Sequence, residues 1–416
     1  MTAQRFFRHA AVWMTFAAAV SVLVSVAACQ SLMTLALVAL LLSGEKLRFP
    51  PIKLPLALFL GLTVVSLALS DEPSAGRPQL RKFFVFLMLL LVFSLLREAG
   101  HLGRLVIAWG VVAALSAALG IAQFLDKHRQ AAQLGADFYE FYVGERITGF
   151  MSHWMTFGGQ MMLVLLVVAA YVLLGSPSRR ALVLSLACAA VISAAIVLGF
   201  TRGIWLATAV GGLYLVWNWR RWAVLLAPVL VAGVLLAGPA ALRDRVASAL
   251  RPRGEIDSNQ HRIVSWRTGW RMIRAHPWFG LGPEHVKLQF DRYVPEDVPR
   301  PLPAGWYGHL HNIYLHYAAE RGVPALLALL WLLGKMLVDF TRAARRAPPH
   351  LRFLPRAAAA AIVAILVEGL FELNLGDTEV LTLFLAIVAA GYVAAEAAAA
   401  APAYLTRSPL DKATAE

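Results

Sequence analysis

The chain has 416 residues, of which 59% are hydrophobic and only 15% charged, and its mean hydropathy is +0.66. A soluble domain carries about a quarter charged residues, so this composition excludes an ordinary soluble protein. The net charge of +14 is partly due to loop residues that orient membrane segments, and it does not by itself indicate nucleic-acid binding. No P-loop, GxGxxG or metalloprotease motif is present, so neither ATP nor another cofactor is expected.

Apolar runs of about membrane-crossing length follow one another along nearly the whole chain. A helix needs about 20 predominantly apolar residues to cross the hydrocarbon core, and these Leu, Ala and Val runs suit helices better than barrel strands. We therefore expect an all-α polytopic membrane protein with about twelve transmembrane helices. The runs lie at about 10–28, 31–43, 54–70, 83–96, 104–125, 157–175, 181–200, 203–217, 222–241, 312–338, 357–375 and 379–397.

The N-terminus shares one feature with a secretory signal, because Arg5 and Arg8 precede an apolar run that ends at Cys29. A second apolar run begins almost at once and further runs follow, so an uncleaved first span explains the pattern better. The other cysteine, Cys188, lies within a run, and no disulfide framework is indicated.

Lysine and arginine are concentrated in alternate connections, which predicts the orientation of the spans. Both termini are expected in the cytoplasm, and the two longest polar connections, about 126–156 and about 242–311, are expected outside. The short outer connections, which are poorer in basic residues, are expected near Cys29, at 71–80, at 201–202 and at 375–378.

This topology divides the chain into four parts. Residues 1–241 contribute nine transmembrane helices, and 242–311 form a large outer loop with an amphipathic helix at about 260–275. Residues 312–397 contribute three more transmembrane helices, and 398–416 form a cytoplasmic tail. Ionisable residues gather at the outer ends of the spans, so chemistry is expected on that side.

Arg202 stands between two apolar runs with no polar loop around it, in Phe200-Thr201-Arg202-Gly203. Ionisable side chains at membrane depth are costly and usually face a cavity or a partner. A snorkelling arginine at a tight turn is the simpler explanation. We favour the binding of an anionic group, because the planar guanidinium donates two parallel hydrogen bonds to a phosphate.

Residues 261–274 have the pattern of a basic amphipathic helix, which would lie in the membrane interface. One face carries Ile263, Trp266, Trp270 and Ile273, and another carries Arg267, Arg271 and Arg274. Anchoring to lipid headgroups accounts for Arg271 and Arg274. Arg262 and Arg267 are candidate ligand contacts.

The stretch Gly308–Gly322 places several polar side chains at the start of an apolar helix, which Gly322 and Pro324 should break or kink. His311 falls in the first turn and is the candidate catalytic residue. Histidines two residues apart suggest a metal, but too few acidic or cysteine partners accompany them on the outer side of the membrane, so we expect none. The candidate binding residues are His309, Asn312, Tyr314 and Glu320.

Glu368 and Glu372 are four residues apart at the outer end of a predicted span, hence on one helix face. Buried carboxylates need cationic partners, and the outer arginines are available. A supporting ion pair is therefore favoured over direct catalysis for these two residues.

Three short motifs, in this order, resemble those of the O-antigen ligase and polymerase superfamily of bacterial inner membranes. They are Thr-Arg-Gly at 201–203, then Arg262 and Trp266 with His-Pro-Trp-Phe-Gly-Leu-Gly-Pro at 276–283, then His-Asn-Ile-Tyr-Leu at 311–315 with Glu320 and Gly322. The motifs cover about 200–322, and the expected topology matches over nearly the whole chain. The resemblance implies a metal-independent, inverting glycosyltransferase of the GT-C type with its active site in the periplasm.

The donor implied by the resemblance is a sugar chain on undecaprenyl diphosphate, and the acceptor of a ligase is the lipid A–core oligosaccharide. Arg202, Arg262 and His311 match the functional positions of the family, and Arg267 and Glu320 match less closely. The two arginines would stabilise the charge that develops on the diphosphate. His311 would either deprotonate the acceptor hydroxyl or bind the diphosphate as a cation.

Other functions stay open. An O-antigen polymerase or a protein O-oligosaccharyltransferase would use the same donor, but the modest length, the single large loop and the short tail favour the ligase. A lipid or oligosaccharide transporter is the alternative of another class, since about twelve spans is common among transporters. Against it, the ionisable residues crowd the outer end, and the two halves show no matched broken helices.

Overall fold

Eighteen α-helices and three short 3-10 segments form the secondary structure of the described residues, and no strand occurs among them. The structure, a computed structural model, describes residues 3–238, 240–248, 259–302 and 308–400. In chain order, helices α1 to α18 span Ala3–Ser21, Val26–Leu42, Lys53–Ala68, Pro73–Arg81, Leu87–Leu95, Ala99–Leu134, Phe138–Gly144, Trp154–Leu174, Arg179–Leu198, Arg202–Trp219, Ala227–Ala237, Ala240–Ala247, Asn259–Ala275, His285–Tyr293, Ile313–Arg321, Val323–Arg346, Phe353–Glu368 and Thr378–Ala400.

Within the described residues, six helices are long and apolar enough to cross a membrane, which makes the chain a helical multi-pass membrane protein. They are Pro73–Leu95 (α4, a 3-10 turn and α5 in continuous succession), Ala99–Leu134, Trp154–Leu174, Arg179–Leu198, Val323–Arg346 and Thr378–Ala399. The other six expected runs also fall on helices, but these are shorter or less apolar. Six of the expected crossings are thus identified by length and composition, and the other six stay predictions.

Three expected boundaries are wrong. The first turn lies at 22–25, whereas Cys29, where a connection was expected, is buried within α2. The stretch 71–80 is helical from Pro73 onward, since proline is well accommodated in the first turn of a helix. Helix α6 continues to Leu134, well past the expected end of its apolar run. A run of apolar residues in the sequence does not reveal a short turn within it, and it does not show that a helix continues into the polar residues that follow.

Helix α17 lies at the centre of the bundle, packed against α8, α10, α16 and α18. Its five consecutive alanines at 357–361 are at most 1% exposed, and such small side chains let neighbouring helices approach closely. The C-terminal end of α17 therefore delivers the following residues to the middle of one end of the bundle.

The helix break expected at Gly322 is present, because α15 ends one residue before it and α16 begins one residue after it. Gly322 has a φ of +83°, and a Cβ there would lie 2.1 Å from the carbonyl oxygen of Trp278, so glycine is required. Across this break the N–H of Val323 donates to the carbonyl of Pro277 at 2.8 Å. The segment 276–283 is thus a scaffold that fixes the position of α15.

Candidate functional site

Two cavities meet at a wall formed by Arg146, Met155, Arg262 and Glu372, which line both. The first, of about 520 Å³, is lined by several histidines and by both acidic and basic side chains; we call it the polar cavity. The second, of about 470 Å³, is called the arginine cavity. The two cavities are therefore adjacent and share these four side chains.

The arginine cavity combines a cationic wall with an apolar one. Glu372 is its only carboxylate among the lining residues that the structure describes. An excess of guanidinium groups favours an anion with several oxygens, such as a phosphate or diphosphate. The four guanidinium groups are those of Arg146, Arg202, Arg245 and Arg262, and the large apolar side chains are those of Leu206, Ile263, Trp266 and Phe371.

Arg202 is the first residue of α10, and its position depends on a tightly held turn. Phe200, two residues earlier, has a φ of +50°, which is uncommon for a bulky residue. The side chain of Arg245, only 2% exposed, donates from Nε to the carbonyl of Phe200 at 2.9 Å. Arg202 itself donates from Nη1 to the hydroxyl of Ser248 at 3.1 Å. The two arginines are thereby held on the same wall.

Arg262, Glu372 and His311 form a hydrogen-bonded row at the meeting point of the cavities. One carboxylate oxygen of Glu372 accepts from Nη2 of Arg262 at 2.9 Å, and the other lies 2.9 Å from Nδ1 of His311. Burial opposes ionisation of Glu372, but the hydrogen bonds with His311 and with the guanidinium of Arg262 stabilise the carboxylate form. The carboxylate is therefore ionised and orients the imidazole.

His311 sits in a backbone conformation that non-glycine residues rarely adopt, with a φ of +47°. Its ring centroid lies 4.1 Å from that of His309 and 4.7 Å from that of His261. Burial, with the charge of His311 as a smaller contribution, lowers the pKa of His309 to about 3. His309 is therefore neutral, and His311 is the member of this cluster that is bound directly to a carboxylate.

Asn312 and Tyr314, which follow His311 closely, join the start of α15 to the end of α17. Asn312 caps α15 by accepting the N–H groups of Tyr314 and Leu315 at 3.0 and 2.9 Å. Its Nδ2 donates to the carbonyl of Leu370 at 3.1 Å, and the hydroxyl of Tyr314 donates to the carbonyl of Leu366. Asn312 and Tyr314, which were candidate binding residues, line neither cavity, and their hydrogen bonds instead hold the start of α15.

Glu320 lines the polar cavity on the side that carries the scaffold segment. Its side chain, 2% exposed, accepts the N–H of Glu284 at 2.7 Å and lies 3.3 Å from Nε2 of His316. Glu284 has a φ of +68°, so the carboxylate of Glu320 holds a strained turn. These contacts give Glu320 a structural role in addition to its place in the cavity wall.

Arg267 and Glu368 lie outside both cavities. Arg267 forms two hydrogen bonds with Asp297, at 2.8 and 2.7 Å, near the surface. Glu368 is 1% exposed, and no ion pair joins it to another described residue. Of the two acidic residues predicted as ion-pair support, Glu372 alone pairs with an arginine, because only it lies beyond the end of α17 where it can reach Arg262.

Helix α13 keeps most of the apolar face expected for the membrane interface, but one of the four expected residues is turned inward. Ile273, expected on the membrane-facing side, is 7% exposed, and Met272 is fully buried. Ile263 and Trp270 are 57% and 51% exposed. The reason is that α13 packs against α14 and α15, which a periodicity argument for an isolated helix does not include.

Sequence reasoning missed Arg146, Arg245 and His261. Arg146 lies between α7 and α8, where Nε donates to the carbonyl of Val143 at 3.1 Å and the guanidinium lies 5.2 Å from the ring centroid of Trp154. Burial, followed by the charge of Arg245, lowers the pKa of Arg146 to about 9. A single arginine in a polar connection carries no signal that distinguishes it from a solvated one.

Residues 187–330 match the family model described as O-antigen ligase. This range contains Arg202, Arg262 and His311, whereas Arg146 and Glu372 lie outside it. No curated protein matches the chain in a sequence search. The match confirms the resemblance that the three sequence motifs indicate.

Proposed function

We propose that this chain, a membrane protein of the O-antigen ligase superfamily, transfers a glycan from a lipid-linked diphosphate to a hydroxyl acceptor. The observation that carries the proposal is the row of Arg262, Glu372 and His311. It places a cation, a carboxylate and an imidazole in contact where the two cavities meet. Such a row can hold an anionic leaving group on one side and accept a proton on the other.

The donor that the arginine cavity suits is a glycan on undecaprenyl diphosphate. A diphosphate ester needs several cations, and Arg202 and Arg262 line this cavity together with Arg146 and Arg245. Leu206 and Trp266 provide apolar surface for the first isoprene units of the lipid. Guanidinium groups fixed in a partly desolvated site stabilise the charge that develops on the leaving diphosphate, so the step needs no metal ion.

His311 is proposed as the general base. Glu372 fixes the orientation of the imidazole through Nδ1 and stabilises its protonated form, as a carboxylate does in a hydrolase triad. The acceptor oxygen forms a bond to the anomeric carbon while the bond from that carbon to the diphosphate oxygen breaks, which inverts the configuration. The hydroxyl proton passes to His311, and the undecaprenyl diphosphate leaves with the electron pair.

We place the reaction on the periplasmic face of a bacterial inner membrane, with both termini in the cytoplasm and about twelve membrane crossings. In this arrangement residues 242–311 form a periplasmic loop, and Arg245, Arg262 and His309 of this loop line the cavities. The distribution of lysine and arginine along the sequence supports this orientation. We propose the lipid A–core oligosaccharide as the acceptor, and hence an O-antigen ligase, because the modest length and the single large loop of the sequence favour a ligase.

Two other transferases share this chemistry, because an O-antigen polymerase and a protein O-oligosaccharyltransferase differ only in the acceptor. Transport is the alternative of another class. The gathering of His311, Glu372 and four arginines at one end of the bundle supports a transferase, since transporters more often hold substrates near the midplane.

The deciding experiment reconstitutes the purified protein with an undecaprenyl-diphosphate glycan and lipid A–core in the presence of a chelator. A glycan joined to lipid A–core identifies a ligase, and a longer lipid-linked glycan identifies a polymerase. Movement of the glycan across the bilayer without a new bond identifies a transporter and refutes the proposal.

Variants then test the assigned residue. Arg262→Lys keeps a charge but loses the planar fork, and we expect it to lower kcat by about 10²- to 10³-fold. Arg274→Lys, on the exposed side of the same helix, is the matched control and should leave kcat unchanged. Equal effects of the two substitutions would contradict the role of Arg262.

A further inference from the structure

We propose that His309, His311 and Glu372 form a binding site for a divalent cation of the zinc class. We further propose that an ion bound there stops glycan transfer. The first statement concerns metal binding and is independent of the proposed function, whereas the second rests on it.

The geometry of the three side chains carries the proposal. Each offers one ligand atom, and the three atoms lie within 4.8 Å of one another. Nitrogen and oxygen ligands about 2.0–2.2 Å from a tetrahedral zinc ion are roughly 3.4 Å apart. The most distant pair must therefore approach by about 1.4 Å, a distance of the order of a side-chain rotation.

The fold brings the ligands together although the sequence separates them. Glu372 follows α17 and is 61 positions away from His311, yet their side chains are 2.9 Å apart. The expectation of no metal rested on too few acidic or cysteine partners on the outer side of the membrane. Glu372 supplies that acid from another element, and it is buried.

The kind of ligand selects the kind of metal. Two imidazoles with one carboxylate suit zinc and its neighbours, whereas magnesium and calcium prefer oxygen ligands alone. The polar cavity, of about 520 Å³, leaves room for a water molecule as a fourth ligand. The ring of His261, whose centroid is 4.7 Å from that of His311, is an alternative fourth ligand.

Metal binding and proton transfer would exclude each other. Without a metal, the two oxygens of Glu372 are engaged by Arg262 and His311, each at 2.9 Å. A dication bound to the carboxylate would compete with Arg262, and its bond to the imidazole would replace the contact that orients His311. With the metal ion bound, His311 would be unable to accept a proton and Arg262 would no longer be held by Glu372.

The binding test uses the purified full-length protein in detergent, treated with a chelator and then titrated with Co²⁺ as a spectroscopic probe and with Zn²⁺ as its competitor. We expect one ion per chain, absorption typical of nitrogen-ligated Co²⁺, and no competition from Mg²⁺. His309→Gln should weaken Zn²⁺ binding by at least about tenfold. His276→Gln, at an exposed histidine outside both cavities, is the matched control and should bind as the wild type does.

Two results would overturn the site: no stoichiometric binding by the wild-type protein, or equal affinity in His309→Gln. Thermal unfolding of His309→Gln after treatment with the chelator verifies that this variant is folded. The titration of the wild-type protein tests the site even if the variant does not fold. In the transfer assay, Zn²⁺ should abolish product and chelator should restore it. Transfer that continues with Zn²⁺ bound refutes the inhibition, while absence of transfer under every condition refutes the proposed function and leaves the titration to decide the metal site.

Discussion

At the scale of single residues, the strained backbone of this protein is gathered around the two cavities. Among the described residues, the non-glycine positions with positive φ are Phe200, Glu284 and His311. Each costs about 1–2 kcal/mol relative to the ordinary region and is held by a neighbour, as Arg245 holds Phe200. Strain of this kind persists where the surrounding structure fixes it, which here is the candidate site.

His311 can be tested without disturbing its backbone, because asparagine tolerates a positive φ better than most residues. We expect His311→Asn to lower the rate of glycan transfer by about 10²- to 10⁴-fold, the usual contribution of a general base. The thermal unfolding temperature should change little. A variant that retains transfer would show that the imidazole takes no part in the reaction.

Arg146 lines both cavities and was not anticipated from the sequence. Arg146→Gln removes one of four guanidinium groups, and a charge-assisted hydrogen bond contributes about 1.5–3 kcal/mol. We therefore expect kcat/KM to fall by about 10- to 100-fold. Arg129→Gln, at an exposed position on α6, is the control, and an equal loss there would point to a general effect of net charge.

Asp377 gives the clearest dependence of stability on pH. Burial raises its pKa from 3.8 to about 6, although the hydrogen bond from Thr156 and the charge of Lys82 oppose the shift. Between these values the folded protein binds more protons than the unfolded one, so stability falls as pH rises and the cost is complete above about pH 6. Asp377→Asn should therefore stabilise the protein at pH 7.5 by about 1–3 kcal/mol and have little effect at pH 4.

The measurement is thermal unfolding of Asp377→Asn and the wild type at both pH values in detergent. Asp126→Asn, at an exposed position, provides the control and should show no such difference. Stabilisation of Asp377→Asn that is equal at both pH values would mean that ionisation of the carboxyl group is not the cause.

At the scale of elements, the site depends on three segments from distant parts of the chain. Helix α17 ends beneath the cavities, and the start of α15 is bonded to its last carbonyls, with the N–H of Ile313 donating to Gly369 at 2.7 Å. The scaffold segment 276–283 holds the other end of α15, where the N–H of Leu281 donates to Ala319 at 2.9 Å. His311 and Glu320 are thus fixed at opposite ends of one short helix.

Two glycine substitutions test whether the junction between α15 and α16 is more tightly constrained than the interior of a helix. Gly322→Ala would force a Cβ against Trp278 at a φ of +83°, so we expect a loss of at least about 1–2 kcal/mol and a lower unfolding temperature. Gly334→Ala, inside α16 with nothing within 4 Å of the added carbon, should be neutral or raise stability by about 0.5–1 kcal/mol. Effects of the same sign would contradict this account of the junction.

At the scale of the whole molecule, the cavities open at one end of the bundle, and the predicted topology makes that end periplasmic. Both native cysteines are buried, so introduced cysteines can report sidedness. Glu296→Cys should react with a membrane-impermeant maleimide in intact spheroplasts, since Glu296 is exposed on the loop side. Arg345→Cys, at an exposed position in the last turn of α16, should react only after lysis. Labelling of Arg345→Cys in intact spheroplasts, with Glu296→Cys reacting only after lysis, would show that the chain has the opposite membrane orientation.

The sequence by itself determined the fold class and the residues that carry a motif. Apolar runs predict helices because an unpaired backbone is too costly in lipid, and a motif such as His311-Asn312 is local. The apolar runs do not determine the number of spans, because length and hydropathy do not distinguish a helix that crosses the membrane from a shorter buried one. The burial of Ile273 on α13 also depends on the contacts of this helix with α14 and α15. A periodic pattern in the sequence carries no information about those contacts.

Only the tertiary structure decided which charged groups meet. Arg146, Arg262 and Glu372 come from three separate parts of the chain and share one wall, and no spacing rule connects them. Arg267 looks as suitable as Arg262 in the sequence, but it turns to Asp297 at the surface. The physical reason is that an interaction between side chains depends on distance and burial, which are set when helices pack, whereas hydropathy is a property of each segment alone.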